Sequence, residues 1–165
     1  IEYKILNAKD FGVPQNRERI FIFGYIDFIF FEFPEPIKVQ TKVGDILDDE
    51  VADNFTISDK MWTSAKRRKE NNRKRGYGFG FSLFNNDSEY TSTISARYYK
   101  DGSEIWIDQD GKNPRMITPN EARKLQGFPE GFQIPVSNLQ AYKQFGNSVS
   151  VPVIRAMAER IVKLL

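Results

Sequence analysis

The sequence predicts an α/β protein, and three features lead to this expectation. Residues 19–25, with the sequence RIFIFGY, form a run of β-forming side chains typical of a strand buried on both faces. Residues 91–99 and 104–107 are also rich in β-forming side chains, and the Asp-Gly pair between them predicts a β-hairpin. Residues 151–165 are expected to form a helix that packs against another element. Its apolar face comprises Val153, Ile154, Met157, Ile161, Val162 and Leu165.

The composition of the 165 residues excludes several kinds of site. The 14 Phe, 7 Tyr and 2 Trp residues supply enough apolar area for the core of one domain. Because the chain has no Cys and no His, it lacks disulfides, thiolate or imidazole metal ligands, cysteine nucleophiles and histidine general bases. No metal site is expected. The net charge of +2 is mild, so nucleic-acid binding would depend on local clusters of basic residues.

The hydropathy pattern predicts where the protein is located, and the first residue predicts whether the chain has been shortened. The sequence has no run of about 18 apolar residues and does not open with a basic segment followed by an apolar one. We therefore expect a soluble cytoplasmic protein with no membrane partner. The sequence begins with Ile1 instead of Met, which predicts a fragment or a processed product.

Breaker and cap residues organise the first half of the chain. Pro34 and Pro36 follow the predicted strand and indicate a boundary. Residues 43–47 are long enough for a short helix. Ser58 is suited to cap a second helix, which would begin at about residue 59 and continue into a charged stretch.

That charged stretch, residues 66–76, reads KRRKENNRKRG and holds seven basic residues against one acidic residue. It is either a solvated helix end or loop, or an arm that contacts the phosphates of DNA through clustered basic side chains. The candidate phosphate contacts are Lys66, Arg67, Arg68, Arg73, Lys74 and Arg75. The following GYGFGFSL, residues 76–83, lacks phosphate-binding spacing and predicts a glycine-rich strand or loop.

The first strand of the predicted hairpin would place Thr93, Ser95 and Arg97 on one face, because side chains alternate with a period of two. Three hydrogen-bonding side chains in a row, one of them a guanidinium fork, are suited to reading base edges in a major groove. The alternative is an ordinary solvent-facing side of an antiparallel ribbon.

Two short helices are predicted before the last one. Thr118-Pro119-Asn120-Glu121 has the pattern of a capping box with Pro at the first helical position, and Gly127 is expected to end this helix. The second helix would begin at residue 138 or 139 and be stopped by Gly146.

Three separated blocks resemble, in order, the bacterial DNA cytosine-5 methyltransferases. PQNRERIFIFG, residues 14–24, matches the family's block VIII. PRMITPNEARKLQGFPEGF, residues 114–132, resembles block IX, and QAYKQFGNSVSVPV, residues 140–153, resembles block X. The stretch TSTISARYYKDGSEIWI, residues 91–107, lies where the family has its target recognition domain.

The resemblance implies roles for several residues. In the family a cytosine is flipped out of the duplex, a cysteine attacks its C6, and C5 receives a methyl group from S-adenosylmethionine. By matching position, Arg19 would hydrogen-bond O2 of the cytosine, while Gln15 and Arg17 would brace the pocket. The cofactor pocket would be lined by Asn147, Ser148 and Val149. From the residues alone, Arg17 and Arg19 would instead be surface arginines beside a strand.

The resemblance also shows which parts of the family pattern are missing. The family's glycine loop, Pro-Cys nucleophile and Glu-Asn-Val block lie upstream of the matching region, and without Cys the covalent mechanism is impossible. We therefore expect the C-terminal half of such an enzyme, either a fragment or one subunit of a split enzyme, which is inactive alone. Its partners would be double-stranded DNA and the N-terminal methyltransferase half.

The resemblance further implies a division of the chain. Residues 1–33 would form an edge of the S-adenosylmethionine-dependent α/β domain, and residues 34–113 a small, mostly β target recognition domain. Residues 114–145 would be a connection carrying block IX, and residues 146–165 a helix returning to the large domain. The exposed apolar faces would then favour a partner or self-association.

The alternative function is a stand-alone, sequence-specific DNA-binding module that does not methylate. If the chain belongs to an enzyme, its recognition segment resembles those of enzymes that act on short palindromes with a CC core. The resemblance also implies a bacterial protein that is associated with the nucleoid in the cytoplasm.

Overall fold

A computed structural model describes residues 1–26, 30–37 and 39–164, and it confirms the mixed α/β class. The described residues contain two small sheets and four α-helices. The strands are β1 (Glu2–Asn7), β2 (Glu18–Phe23), β3 (Leu83–Phe84), β4 (Trp106–Ile107) and β5 (Arg115–Met116). The α-helices are α1 (Asp59–Lys74), α2 (Pro119–Leu125), α3 (Asn138–Asn147) and α4 (Val151–Val162). Short 3-10 helices lie at Ala8–Phe11, Val43–Ile46 and Asp53–Phe55.

Strands β1 and β2 form an antiparallel pair in which Glu2 lies opposite Phe23 and Asn7 lies opposite Glu18. The predicted strand is confirmed, but its burial on both faces is wrong. Ile20 and Ile22 are 57% and 66% exposed, because this sheet has only two strands and nothing in the described residues covers its outer face. The inner face packs onto a hydrophobic cluster through Leu6.

Helix α4 covers the inner face of this sheet with part of its predicted apolar side. Val153 and Met157 are buried in the same cluster as Leu6. Ile154 and Val162, which the sequence also places on that side, are exposed. Leu165 lies outside the described residues. The single face predicted from the periodicity is therefore divided between a buried and an exposed side.

A separate hydrophobic cluster fills the middle of the chain. It is built from residues between Val43 and Phe145, and its fully buried members include Ile94, Tyr98 and Leu125. A third, smaller cluster surrounds Trp106 and receives Ala65 from α1. The two ends of the chain thus share one core, whereas its middle has cores of its own.

Residues 34–113 are less regular than expected for a mostly β segment. The short helix predicted at 43–47 is present as a 3-10 helix. Helix α1 is confirmed with its cap, because the Ser58 hydroxyl accepts a hydrogen bond from the Met61 N–H at 3.3 Å. The strands β3 and β4 have only two residues each.

The predicted hairpin is wrong. Strand β4 pairs in parallel with β3 and antiparallel with β5, and most of residues 92–105 form turns or irregular backbone. The physical reason lies at Ile94, whose backbone is hydrogen-bonded by side chains. Its N–H donates to Oε1 of Gln15 at 3.0 Å, and its carbonyl accepts from Arg17 at 3.1 Å. A strand partner therefore has no access to these groups.

The capping box at the start of α2 is confirmed. The Thr118 hydroxyl accepts from the Glu121 N–H at 3.0 Å, and the Glu121 carboxylate accepts from the Thr118 N–H at 2.7 Å. Gly127 ends this helix with φ +75°, as expected.

The prediction that Gly146 stops α3 is wrong, because the helix continues to Asn147. A Cβ atom at position 146 would overlap the carbonyl oxygen of Ser95. This glycine therefore allows the close approach of α3 to the 92–97 segment. In the part of the chain that the structure describes, no helix is long and apolar enough to cross a membrane.

Candidate functional site

A cleft of about 220 Å³ lies where strand β2 meets the junction between α3 and α4. Five residues that the sequence assigns to a base or cofactor pocket line this cleft: Arg17, Arg19, Asn147, Ser148 and Val149. The rest of the lining is Leu6, Ala8, Ile20, Phe21, Ser150 and Val153. Of the predicted pocket residues, Gln15 alone is not part of the lining.

Arg17 is buried and forms the inner wall of the cleft. Its guanidinium donates to the carbonyl oxygens of Ile94 at 3.1 Å, Gly146 at 3.1 Å and Ser148 at 2.8 Å. Within the described residues it has no carboxylate partner. Burial, and secondly the charge of Arg19, lower the pKa of Arg17 to about 10, so the side chain stays cationic at neutral pH.

Gln15 lies behind the cleft wall and is completely buried. Its amide donates to the carbonyl oxygen of Leu125 at 3.0 Å and to Oε1 of Gln126 at 3.3 Å. Gln126 in turn donates to the carbonyl oxygen of Phe145 at 2.6 Å. Since its Oε1 also accepts from the Ile94 N–H, Gln15 joins the segment that leads into β2 to the end of α2 and to the 92–97 segment.

Arg19 lies at the exposed rim of the cleft. One of its nitrogens donates to the carbonyl oxygen of Glu18 at 2.6 Å. Its other N–H groups have no acceptor among the described residues. Arg19 therefore offers free donors to the cleft, whereas the donors of Arg17 are largely occupied by the fold.

The opposite wall comes from the end of α3 and the residues that lead into α4. The Ser148 hydroxyl donates to the carbonyl oxygen of Phe145 at 2.8 Å, while Asn147 and Val149 are exposed. The Ser150 hydroxyl is buried and unpaired within the described residues, as is Nε of Arg17. Sequence reasoning did not find Ser150, although its position directly after the predicted residues 147–149 was a usable signal.

All six predicted phosphate contacts are exposed. They lie in α1 from Lys66 to its last residue, here called the basic half of α1, or on the residue that follows the helix. Three of them already have acidic partners: Arg73 and Lys74 contact Glu70 at 3.0 and 3.8 Å, and Arg68 contacts Asp101 at 3.6 Å. Lys66, Arg67 and Arg75 form no ion pair within the residues that the structure describes.

The three candidate base-reading residues do not share a strand face, because the segment that holds them is not a strand. The Thr93 hydroxyl donates to the carbonyl oxygen of Asn16 at 2.7 Å, and the Ser95 hydroxyl donates to Glu104 at 2.6 Å. Both hydroxyls thus stabilise the fold. Arg97 is exposed and has no ion pair among the described residues.

In the described ranges, no group of three or more acidic side chains is arranged to hold a metal ion.

Comparisons with known proteins cover almost the whole chain. The family model for C-5 cytosine-specific DNA methylases matches residues 1–163. The Type II methyltransferase M.NlaX of Neisseria lactamica is 62% identical over 159 residues, which are 96% of this chain and 51% of the relative. The Type II methyltransferase M1.ScrFI of Lactococcus lactis is 58% identical over 98% of this chain and 43% of its own length. The chain thus spans about half the length of the curated relatives it matches.

A solved structure has a similar fold. The Entamoeba histolytica methyltransferase EhMeth superposes with a TM-score of 0.79 at 23% sequence identity, covering 98% of this chain and 53% of that protein.

The carbonyl contacts of Arg17 give a first prediction. Arg17→Lys keeps the positive charge but loses the planar fork, so at least one buried carbonyl is left unpaired. We expect the free energy of unfolding, measured with urea, to fall by about 1–3 kcal/mol for each carbonyl that loses its donor. Arg19→Lys is the matched control and should change stability by less than about 0.5 kcal/mol. Equal stability of the two variants would contradict a structural role for Arg17.

Proposed function

The chain belongs to the C-5 cytosine-specific DNA methylase family, and on this premise we propose that it is the DNA-recognition half of a DNA (cytosine-5-)-methyltransferase. The complete enzyme would transfer a methyl group from S-adenosylmethionine to C5 of a cytosine flipped out of a short duplex site. The observation that carries the proposal is the shared cleft, where Arg17 and Arg19 meet residues Asn147–Val149 from the other end of the sequence.

Arg19 is the residue proposed to hold the flipped cytosine. Its free N–H donors at the cleft rim suit an acceptor such as O2 of the base. Negative charge that develops on the ring during attack would strengthen this hydrogen bond, and that difference between ground and transition state favours catalysis. The buried charge of Arg17 adds to the positive potential of the same cleft.

Gln15 and Arg17 are proposed as positioning residues. Their donors are committed to backbone carbonyls and to Gln126, so they fix the segment that leads into β2 against α2 and α3. A base held by Arg19 would then meet a rigid pocket, which lowers the cost of ordering it.

S-adenosylmethionine is proposed to lie against Asn147, Ser148 and Val149. The unpaired Ser150 hydroxyl and the exposed amide of Asn147 offer polar partners, and Leu6 and Phe21 supply an apolar surface beside them. This mixture fits a cofactor with both polar and apolar parts. When bound, S-adenosylmethionine supplies the electrophilic methyl group; these residues bind and orient it.

We propose that the chain is divided into domains according to its hydrophobic clusters. Residues 1–33 and α4 share one hydrophobic cluster, which supports their assignment to the large α/β domain, with residues 146–165 returning to it. Residues 34–113 and the block IX connection at 114–145 contribute to the other clusters. The uncovered isoleucines of β2 would pack against the N-terminal half of the enzyme. The complete enzyme would act on DNA in the bacterial cytoplasm.

Contact with double-stranded DNA is proposed for the basic half of α1 and for Arg97. Lys66, Arg67, Arg68, Arg73, Lys74 and Arg75 would meet phosphates, because their exposed charges can replace condensed counterions. Arg97 would read a base edge. Thr93 and Ser95 would support it, since their hydroxyls donate within the fold.

Reconstitution tests the proposal against a stand-alone DNA-binding module. We expect no transfer of tritiated methyl groups to DNA by the chain alone, because it has no cysteine nucleophile. Adding an N-terminal fragment that carries the glycine loop and the Pro-Cys block should restore transfer. The control is the same mixture with that cysteine changed to alanine. Specific DNA binding without restored transfer would favour the module, and transfer by the chain alone would contradict the proposed division of labour.

Arg19→Ala gives a sharper test of the pocket. In the reconstituted enzyme we expect the turnover number to fall about 100- to 1,000-fold, the usual effect of removing one transition-state donor, while DNA affinity changes little. Arg155→Ala removes an exposed arginine from α4 and serves as the control. If turnover with Arg19→Ala equals that of the control in a folded protein, Arg19 does not act on the base.

The basic half of α1 predicts a particular salt dependence. Arg67→Gln with Arg75→Gln removes two charges that have no acidic partner within the described residues. If each contacts a phosphate, the slope of log K against log salt should flatten by about 1.8, or about 0.9 for each lost contact. Lys42→Gln with Lys112→Gln removes the same charge from sites paired with Asp87 and Asp53. An equal change of slope in both variants would indicate an effect of net charge alone.

A further inference from the structure

The loop after α1 carries two aromatic side chains that the proposed methyltransferase role does not use. Tyr77 and Phe79 stack on each other with ring centroids 5.2 Å apart and planes 16° apart. Their side chains are 52% and 66% exposed. Each ring is thus in contact with water, which is unfavourable for apolar aromatic surface.

The loop that presents these rings is tied to α1. The Tyr77 N–H donates to the carbonyl oxygen of Asn72 at 2.9 Å, and the Asn72 side chain donates to the carbonyl oxygen of Phe79 at 3.1 Å. Gly76, with φ +77°, supplies the change of direction at the end of the helix. The exposed position of the rings is therefore fixed by hydrogen bonds.

The residues that follow anchor the loop to the interior. The ring of Phe81 lies 4.8 Å from that of Trp62 and 5.5 Å from that of Trp106, between centroids. Lys69 donates to the carbonyl oxygen of Phe81 at 3.0 Å. The third aromatic residue of the loop is thus packed into a core, whereas Tyr77 and Phe79 are held outside it.

Cationic side chains line the surface recess that contains Phe79 and the recess next to it. Phe79 and Arg68 line one surface recess together with Asn72. Arg67 and Arg75 line the neighbouring recess on α1, and neither has an acidic partner within the described residues. A partner that suits this surface must combine a flat π face with negative charges close to it. A nucleobase on its phosphodiester backbone has this combination.

We propose that Tyr77 and Phe79 form a stacking site for a nucleobase of bound DNA that has lost a stacking neighbour. This inference rests on the proposed DNA-binding role of the chain. The bases of an intact duplex have both faces covered, so the ring pair can stack only where the duplex is opened. Extrusion of a cytosine from the duplex uncovers the faces of the adjoining bases. Arg67 and Arg75 would hold the phosphates beside the opened step.

Two DNA duplexes of equal length and charge distinguish stacking from phosphate contact. One contains a short bulge of adenines, and in the other the same bulge has abasic residues. The full chain is compared with Tyr77→Leu/Phe79→Leu, which removes the π faces but keeps apolar side chains. Tyr77→Phe/Phe79→Tyr, which keeps both rings, is the matched control. Urea unfolding checks that all three proteins are equally folded.

We expect the unchanged chain to bind the adenine bulge about 5- to 150-fold more tightly than the abasic bulge for each base stacked. The leucine variant should lose this preference and keep its affinity for the abasic duplex, because its phosphate contacts are intact. The ring-exchanged variant should retain the preference.

Three results would overturn the inference. They are the absence of any preference in the unchanged chain, the same preference in the leucine variant, and an equal loss of affinity for both duplexes in that variant. If the unchanged chain binds neither duplex, the DNA-binding role itself fails, which is distinct from the failure of stacking alone.

Discussion

The guanidinium of Arg17 is the interaction on which the arrangement of this chain depends. It joins its own segment to two others that are far away in sequence, because its N–H groups reach the carbonyl of Ile94 and those of Gly146 and Ser148 at the end of α3. A buried cation without a carboxylate is costly, and these carbonyl dipoles replace the water that it has lost. The planar fork of arginine supplies several donors in fixed directions, which an ammonium group cannot do. Arg17 thus lines the cleft and also ties the end of α3 to the 92–97 segment, where Gly146 allows the close approach.

Local signals in the sequence predicted the helices well. Ser58, Thr118 and Gly127 act through their own neighbours in the chain, so their effects can be recognised without knowledge of the fold. Block matching singled out Arg17 and Asn147 for a base pocket and a cofactor pocket, and the structure places both residues in the lining of one cleft. What failed were predictions that depend on distant partners. The hairpin prediction failed because Gln15 and Arg17 hydrogen-bond the backbone of Ile94. No pattern within residues 91–107 reveals these contacts.

Gly146 and Ser150 illustrate the same limit at single positions. Gly146 is a residue type that commonly ends helices, but here it allows the carbonyl of Ser95 to lie against α3. Only the tertiary fold brings this carbonyl near. The burial of the Ser150 hydroxyl likewise depends on how α3 and α4 meet. Periodicity in α4 identified the buried residues Val153 and Met157, but it could not tell them from Ile154, which faces away from the core.

The two-stranded β1–β2 sheet has a consequence for the life of the chain in a cell. Within the described residues, each strand pairs only with the other, so both outer edges present unpaired backbone groups next to exposed isoleucines. Such edges are templates for non-native strand pairing. Until these edges and isoleucines are covered during folding or assembly, they are open to aggregation and to recognition by quality-control proteases.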